Sequence, residues 1–357
     1  MFIFILILSI LILIHEFGHF ITAKQAGIKV EKFSLGFGPK IVSKRIGDTE
    51  YMLCAIPFGG FIKMAGDSRE DFSGKSCEFF SKGPGVRSRI IFAGPFFNYL
   101  LAFFCIWMVY YLGLPKLSSR IGGLMPGLPA QVAGLKENDE VFEVDGKKVA
   151  FWEDLTKSIH KKTGETVELK VLRDNKELTF KVVPQSKEVD TIWGKKVEVG
   201  LIGIKPSDEI IKVRYSFFDA LVKGTKNLVQ MTVMTIIAIF NIITGTMSFK
   251  ESVTGPLGIF FITTNAAKLG ISAVLHVIGI LSMSLAVFNL LPLPVLDGGH
   301  IFFAGLEKIR KKPISPKVEE TVNNIGMSFL IILAVFIFFN DLIRYGYWDK
   351  FLAMIGK

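Results

Sequence analysis

Apolar positions along this chain follow two rhythms. Unbroken apolar runs stand at about 2–22, 90–112, 273–296 and 324–343, each near the roughly 20 residues a helix needs to cross a bilayer. Between the second and third runs the pattern changes to alternation. Leu169, Val171, Leu178, Phe180 and Val182 are separated by polar neighbours, as in half-buried strands. Arg173-Asp174-Asn175 reads as the turn joining two of these strands, Asp145-Gly146 as another turn, and 151–161 has helical spacing. The pattern predicts four membrane-spanning helices (1–112 holding the first two, 273–357 the last two) and a small domain inserted within 113–215.

Two stretches fit neither rhythm. Residues 30–64 read as two strands punctuated by Gly36, Gly38, Gly59 and Gly60. Open strand edges cannot face lipid, so a hairpin here belongs in a protein-lined or wet cavity beside the first helix. There it could add to an extended peptide, strand on strand, which makes Gly59 and Gly60 candidates for substrate handling. The second stretch, 226–247, is apolar, and charge decides its reading. Lys and Arg crowd 24–89 and also 308–317, which holds Lys308, Arg310, Lys311, Lys312 and Lys317. The positive-inside rule puts both segments on the cytoplasmic side, so an even number of crossings separates them. The second and third spans supply two. The region 216–272, with 226–247 inside it, is therefore expected to be helical and interfacial, dipping in without crossing. The inserted domain then lies on the non-cytoplasmic side.

Composition narrows the class. Of 357 residues half are hydrophobic, and the mean hydropathy of +0.45 suits a membrane protein rather than a soluble domain. The net charge of +10 is accounted for by basic cytoplasmic loops, and no nucleic-acid-binding motif accompanies it. Three scattered cysteines, Cys54, Cys77 and Cys105, make neither a disulfide framework nor a zinc knuckle. The first apolar run lacks a basic leader and a small-residue cleavage site and flows directly into polar residues, so it reads as a retained span and not a signal peptide.

Those polar residues carry the chemistry. His15 and His19 are four apart in a helical segment and share one face. The pair can grip one Zn²⁺ while Glu16, on the adjoining face, serves as general base. Ionisable groups inside an apolar helix are costly when idle, and are functional candidates by default. Catalytic zinc sites take a third protein ligand. Asp297 is the outstanding candidate, at the end of the third run, where Pro292, Pro294, Gly298 and Gly299 free the backbone. His300 is the rival. The oxyanion needs a further donor, for which Asn289 and, more weakly, Asn98 are candidates, each with a plain helix–helix hydrogen bond as the alternative. Water is expected to reach the site by a polar route from the cytoplasmic side. A transporter or channel would explain the spans but not His15-Glu16 with His19. A peptide-binding protein without turnover, or a membrane scaffold, leaves the same residues unexplained.

Four blocks, in order along nearly the whole chain, carry a resemblance: His15-Glu16-Phe17-Gly18-His19, Phe92-Ala93-Gly94-Pro95-Phe96-Phe97-Asn98, Ser252-Val253-Thr254-Gly255-Pro256-Leu257-Gly258, and Phe288-Asn289 through Leu296-Asp297-Gly298-Gly299-His300. The sequence resembles the bacterial site-2 proteases of the regulator-of-sigma-E type. The resemblance implies a multi-pass α-helical membrane protein with four transmembrane helices, a membrane-reentrant β-hairpin at 30–64 and an inserted PDZ-like α+β domain at about 115–186. It assigns His15, His19 and Asp297 as ligands of Zn²⁺, Glu16 as base, and a substrate-handling role to Asn289. Ile121-Gly122-Gly123-Leu124 and Ala130 through Leu135 resemble the ligand-binding side of protease-associated PDZ domains, and Val141 through Gly146 their next strand and turn. The length of 113–215 leaves room for one such domain, where the best-known relatives have two. The implied partners are the lipid bilayer, single-pass membrane substrates already trimmed by a site-1-type protease (anti-sigma factors, remnant signal peptides), and no nucleic acid. The implied location is the bacterial inner membrane, with the PDZ-like domain periplasmic.

Overall fold

The computed structural model describes residues 2–190 and 196–348; the remaining positions at either end of the predicted membrane regions, and 191–195 within the predicted inserted domain, lie outside the described residues. In chain order the elements are helix α1 (Phe2–Gln25), strands β1 (Val30–Ile46) and β2 (Thr49–Met64), helix α2 (Pro84–Leu112), β3 (Leu114–Leu117), β4 (Ile121–Leu124), α3 (Pro129–Val132), β5 (Glu140–Val144), β6 (Lys147–Lys148) and α4 (Trp152–His160). There follow β7 (Val167–Arg173), β8 (Lys176–Val182), β9 (Gln185–Asp190), β10 (Lys196–Leu201), β11 (Ile204–Pro206), β12 (Ile210–Val213), then α5 (Phe217–Ile243), α6 (Phe249–Ser252), α7 (Pro256–Leu269), α8 (Ile271–Asn289), α9 (Asp297–Arg310) and α10 (Pro316–Arg344). The chain divides into two compact units.

In the first unit, α1, α2 and α8 pack along an apolar seam of Ile7, Leu11, Cys105 and Ile278. The order of contacts fixes their directions. Cys105 and Ile278 meet the early turns of α1, whereas Asn98 and Asn289 meet His15 further along. So α8 runs parallel to α1, and α2 runs against both. Small residues allow the approach: a Cβ on Gly18 would strike the Ala93 carbonyl, and one on Gly279 would strike Ile106. β1 and β2 form a long antiparallel hairpin with several register shifts, matching the limits expected at 30–64. Among the described residues, five helices are long and apolar enough to cross a membrane: α1, α2, α5, α8 and α10. The fifth apolar stretch thus belongs to a helix, α5, that has the length and composition of a span.

The predicted third span overran its helix. α8 stops at Asn289 instead of continuing to Leu296, because Pro292 and Pro294 supply no N–H to continue the ladder. Val295 then takes φ +75°, a left-handed conformation that is uncommon for a β-branched residue. Asp297 accordingly opens a new helix, α9, instead of ending a span. The block around Gly255-Pro256 also acquires a role: the buried Asp341 of α10 accepts hydrogen bonds from the Gly255 and Gly258 amides at 3.1 and 3.0 Å, capping the N-terminus of α7.

The second unit has its own core, built on Ile121, Val141, Leu155, Leu169, Val171 and Val182. A four-stranded sheet in the order β6-β5-β7-β8 carries the alternation seen in the sequence, with Val167, Leu169 and Val171 all fully buried. The β7–β8 turn is Asp174-Asn175, both residues at positive φ, which is the twist a two-residue hairpin requires. Arg173 instead ends β7, where its guanidinium grips the fully buried Asp139 with two hydrogen bonds of 2.6 and 2.7 Å. Pairings of β11 with β4 and of β12 with β3 bring residues beyond 186 into the same unit.

Candidate metal centre

One turn of α1 separates His15 from His19 and stacks their side chains on one face. Their Nε2 atoms lie 3.3 Å apart. The first turn of α9 brings Asp297 to them, with Oδ2 at 3.1 Å from His15 Nε2 and Oδ1 at 3.6 Å from His19 Nε2. Donors held at about 2.1 Å from a tetrahedral zinc stand roughly 3.4 Å from one another, so this set has the spacing the ion requires. Asp297 Oδ2 is buried and accepts no hydrogen bond within the chain, leaving a carboxylate oxygen free for a cation. Two imidazoles and one carboxylate are also a donor set that suits zinc. The local sequence explains how Asp297 arrives. Gly298 and Gly299 pack against the backbone of Leu290 and Leu293, where a Cβ would collide, and Gly326 of α10 takes Pro294 against it in the same way.

Helix α2 forms the back of the centre. The Ile90 carbonyl lies 2.9 Å from His19 Nδ1. It therefore holds the proton on that nitrogen and leaves Nε2 free for a metal. Gly94 passes so close that a Cβ there would strike both imidazole rings. Asn98, one turn on, is fully buried with its amide 3.3 Å from His15 Nδ1. The sequence identified the block around Gly94-Pro95 only as a resemblance. The close approach of α2 to the histidines comes from packing between helices and leaves no mark in the period of either.

A cavity of about 430 Å³ opens in front of the histidines. Glu16 lines it, as do Asn289, His300 and, from the hairpin, Phe61, Ile62 and Met64. It continues to Arg87, Glu307 and Glu319. Glu307 there accepts hydrogen bonds from Arg87, from Arg69 at 2.8 Å and from the Ile314 amide at 3.1 Å. Burial pushes the Glu307 carboxyl up, but the Arg87 hydrogen bond, the Ile314 amide and the charges of Arg87 and Arg69 outweigh it, so the group sits below the ordinary carboxylate range.

The remaining candidates take definite places. His300 lines the cavity but is not one of the three converging donors. Gly59 lies under the Phe37 ring, and Gly60 lies where a Cβ would meet the Ser34 carbonyl and approach Glu16 Cγ to 3.5 Å. Gly60 therefore lets β2 run close to Glu16, while the side chains facing the cavity are those just after it. Asn289 is half-buried, at 3.5 Å from His15 Nδ1. In the second unit one cleft borders the strand that pairs with Ile121–Leu124. It has a volume of about 310 Å³ and lies between α4, at Trp152, Thr156 and Ile159, and the segment Gly200–Pro206. β11, which pairs with β4, borders this cleft through Ile204–Pro206.

A relative from Clostridium perfringens is 36% identical, covering 95% of this chain and 97% of that protein. The zinc metalloprotease RasP of Oceanobacillus iheyensis is 28% identical over 96% of this chain and 98% of its own length. The regulator of sigma E protease of Haemophilus influenzae is 27% identical with the same coverage, 96% and 98%. Among solved structures, a PDZ domain from Listeria innocua matches 26% of this chain and 96% of its own, at 24% identity and a TM-score of 0.20. The family model for peptidase family M50 matches residues 3–333, and with the His15, Glu16, His19 and Asp297 constellation inside that span the chain belongs to peptidase family M50.

Proposed function

We propose that this protein is an intramembrane zinc endopeptidase that hydrolyses peptide bonds within transmembrane segments of membrane proteins already trimmed outside the membrane. The observation that carries the reading is the convergence of His15, His19 and Asp297, with Glu16 beside them, on a helix apolar enough to span a bilayer. A zinc ion held there supplies the Lewis acidity that amide hydrolysis needs. Glu16 takes the proton of the attacking water and returns it to the leaving amine. Asn289, at the cavity wall, positions the peptide. The hairpin strand β2, running past Glu16 on the Gly60 side, offers backbone groups to an extended substrate.

The substrate class is single-pass membrane proteins of the anti-sigma-factor or remnant-signal-peptide type, cut first by a site-1-type protease. The name of the Haemophilus influenzae relative, a regulator of sigma E protease, is in keeping with the anti-sigma-factor type. The protein resides in the bacterial inner membrane with four crossings, a reentrant hairpin, basic loops in the cytoplasm and the PDZ-like unit in the periplasm. The parallel course of α1 and α8 supports an odd number of crossings between them, α2 alone, with α5 dipping in and returning.

The test is cleavage of a purified candidate substrate in detergent, in full-length and trimmed forms, alongside zinc content per chain. Trimmed substrate is expected to be cut and full-length substrate spared, with about one zinc per chain. Equal cleavage of the two forms would remove the requirement for prior trimming. Wild type without zinc would remove the peptidase reading.

A further inference from the structure

The two histidines present the same nitrogen, Nε2, to the metal centre, so each has to carry its proton on Nδ1. For His19 the Ile90 carbonyl accepts that proton. For His15 the Nδ1 faces two carboxamides, Asn98 at 3.3 Å and Asn289 at 3.5 Å, each with its amide nitrogen nearest. An imidazole N–H and an amide N–H cannot bond to each other. The two ends of a carboxamide are nearly equal in shape, and a half-turn about its last bond exchanges them.

Which of the two asparagines turns is decided by burial. Asn98 is 0% exposed and its Oδ1 is buried without any hydrogen-bond partner. The half-turn takes this orphaned acceptor onto the His15 N–H. Asn289 is half-buried and lines the cavity, so its amide is open to a peptide. Asn98 is absent from the cavity wall, which leaves it out of contact with substrate. The Ser282 hydroxyl of α8 donates to the Asn98 backbone carbonyl at 2.7 Å and fixes its height beside His15.

We propose that Asn98 is a positioning residue: its side-chain carbonyl accepts the His15 Nδ1 proton and sets the tautomer and ring orientation that direct Nε2 to the metal. The assignment rests on the zinc site proposed above. It moves Asn98 from the oxyanion role considered from the sequence to the outer support of the ligand set, opposite Ile90. Helix α2 then orients both histidines, one through a main-chain carbonyl and one through a side chain.

The experiment is zinc affinity of the full-length, detergent-purified protein by competition with a chromophoric chelator, in wild type, Asn98→Asp and Asn98→Leu. A carboxylate can only accept, and Leu has nearly the same shape with no acceptor. The expected result is retention in Asn98→Asp to within about threefold, and a loss of roughly 10–100-fold in Asn98→Leu. A packing role would leave the Leu variant with wild-type affinity, and that outcome overturns the proposal. Equal losses in both variants would mean that the amide donates, and would overturn it as well. If Asn98→Leu does not fold, Asn98→Asp decides alone, with a tenfold loss counting against the acceptor role. Wild type without zinc would sink the metal site and this assignment together, whereas zinc-replete wild type with an unaffected Leu variant sinks this assignment only.

Discussion

At the scale of single residues, Gly94 marks a close approach of α2 to His15 and His19, the two proposed metal-binding histidines. A methyl group there would occupy the space of the His15 and His19 rings. Gly94→Ala is expected to lower zinc affinity at least about tenfold, the scale on which misoriented ligands fail; Gly83→Ala, where a Cβ meets nothing within 4 Å, is expected to leave it unchanged. Chelator competition on the two variants makes the comparison. Glu16→Gln separates binding from chemistry. It is expected to keep about one zinc per chain and to lose roughly 10²–10⁴-fold in cleavage rate, and a variant that still cleaves would remove Glu16 as base. Metal content of Asp297→Ala beside His300→Ala checks the third ligand, with zinc lost only from the former. The sequence revealed His15, Glu16, His19 and Asp297 because their chemistry is set by short spacing and by charge in apolar surroundings. It concealed Gly94 and the Ile90 carbonyl, since a glycine's missing side chain and a main-chain acceptor acquire meaning only from what packs against them.

At the scale of elements, the prolines around Asp297 illustrate what hydropathy misses. The apolar run to Leu296 is continuous in composition, but the helix ends at Asn289 because the proline ring removes backbone donors. The resulting turn lets a carboxylate start a new helix beside α1. The same logic covers the hairpin: its limits were legible from glycine punctuation, whereas the register shifts that bring Phe61 and Ile62 to the cavity were not. On the floor of that cavity, Glu307 joins α9 to Arg87 of α2 and to Arg69. Its depressed carboxyl contributes stability that is complete above the ordinary carboxylate range and is lost as pH falls through the folded value. Thermal unfolding in detergent is expected to show that acid-side loss in wild type. In Glu307→Gln the loss should be smaller, with stability lower by about 3 kcal/mol at neutral pH, since the buried Arg87 guanidinium loses its counter-charge. An unchanged acid profile would mean that this cluster does not contribute to stability.

For the whole molecule, the direction of the helices is a stronger guide to topology than their number. Five helices have the length and hydropathy of spans, and a count alone would put the basic segments before α2 and after α9 on opposite faces. α1 and α8 nevertheless run parallel, and the metal centre is assembled from the ends they share. An epitope tag placed after Lys317 is therefore expected to be protected from external protease in sealed cells; digestion of the tag would establish α5 as a full crossing. The alternation in 167–182 made the inserted unit recognisable, but its closing strands, β11 and β12, were too short and too distant from their partners in sequence to be foreseen.

The separation of the metal ligands along the chain also has a consequence during synthesis. His15 and His19 leave the ribosome before Asp297, which follows only after both the hairpin and the inserted unit have been translated. A nascent chain that ends short of Asp297 therefore holds two of the three proposed ligands and the proposed base but no complete centre. On the proposed ligand set, hydrolytic potential is withheld until the helix that carries Asp297 has been made.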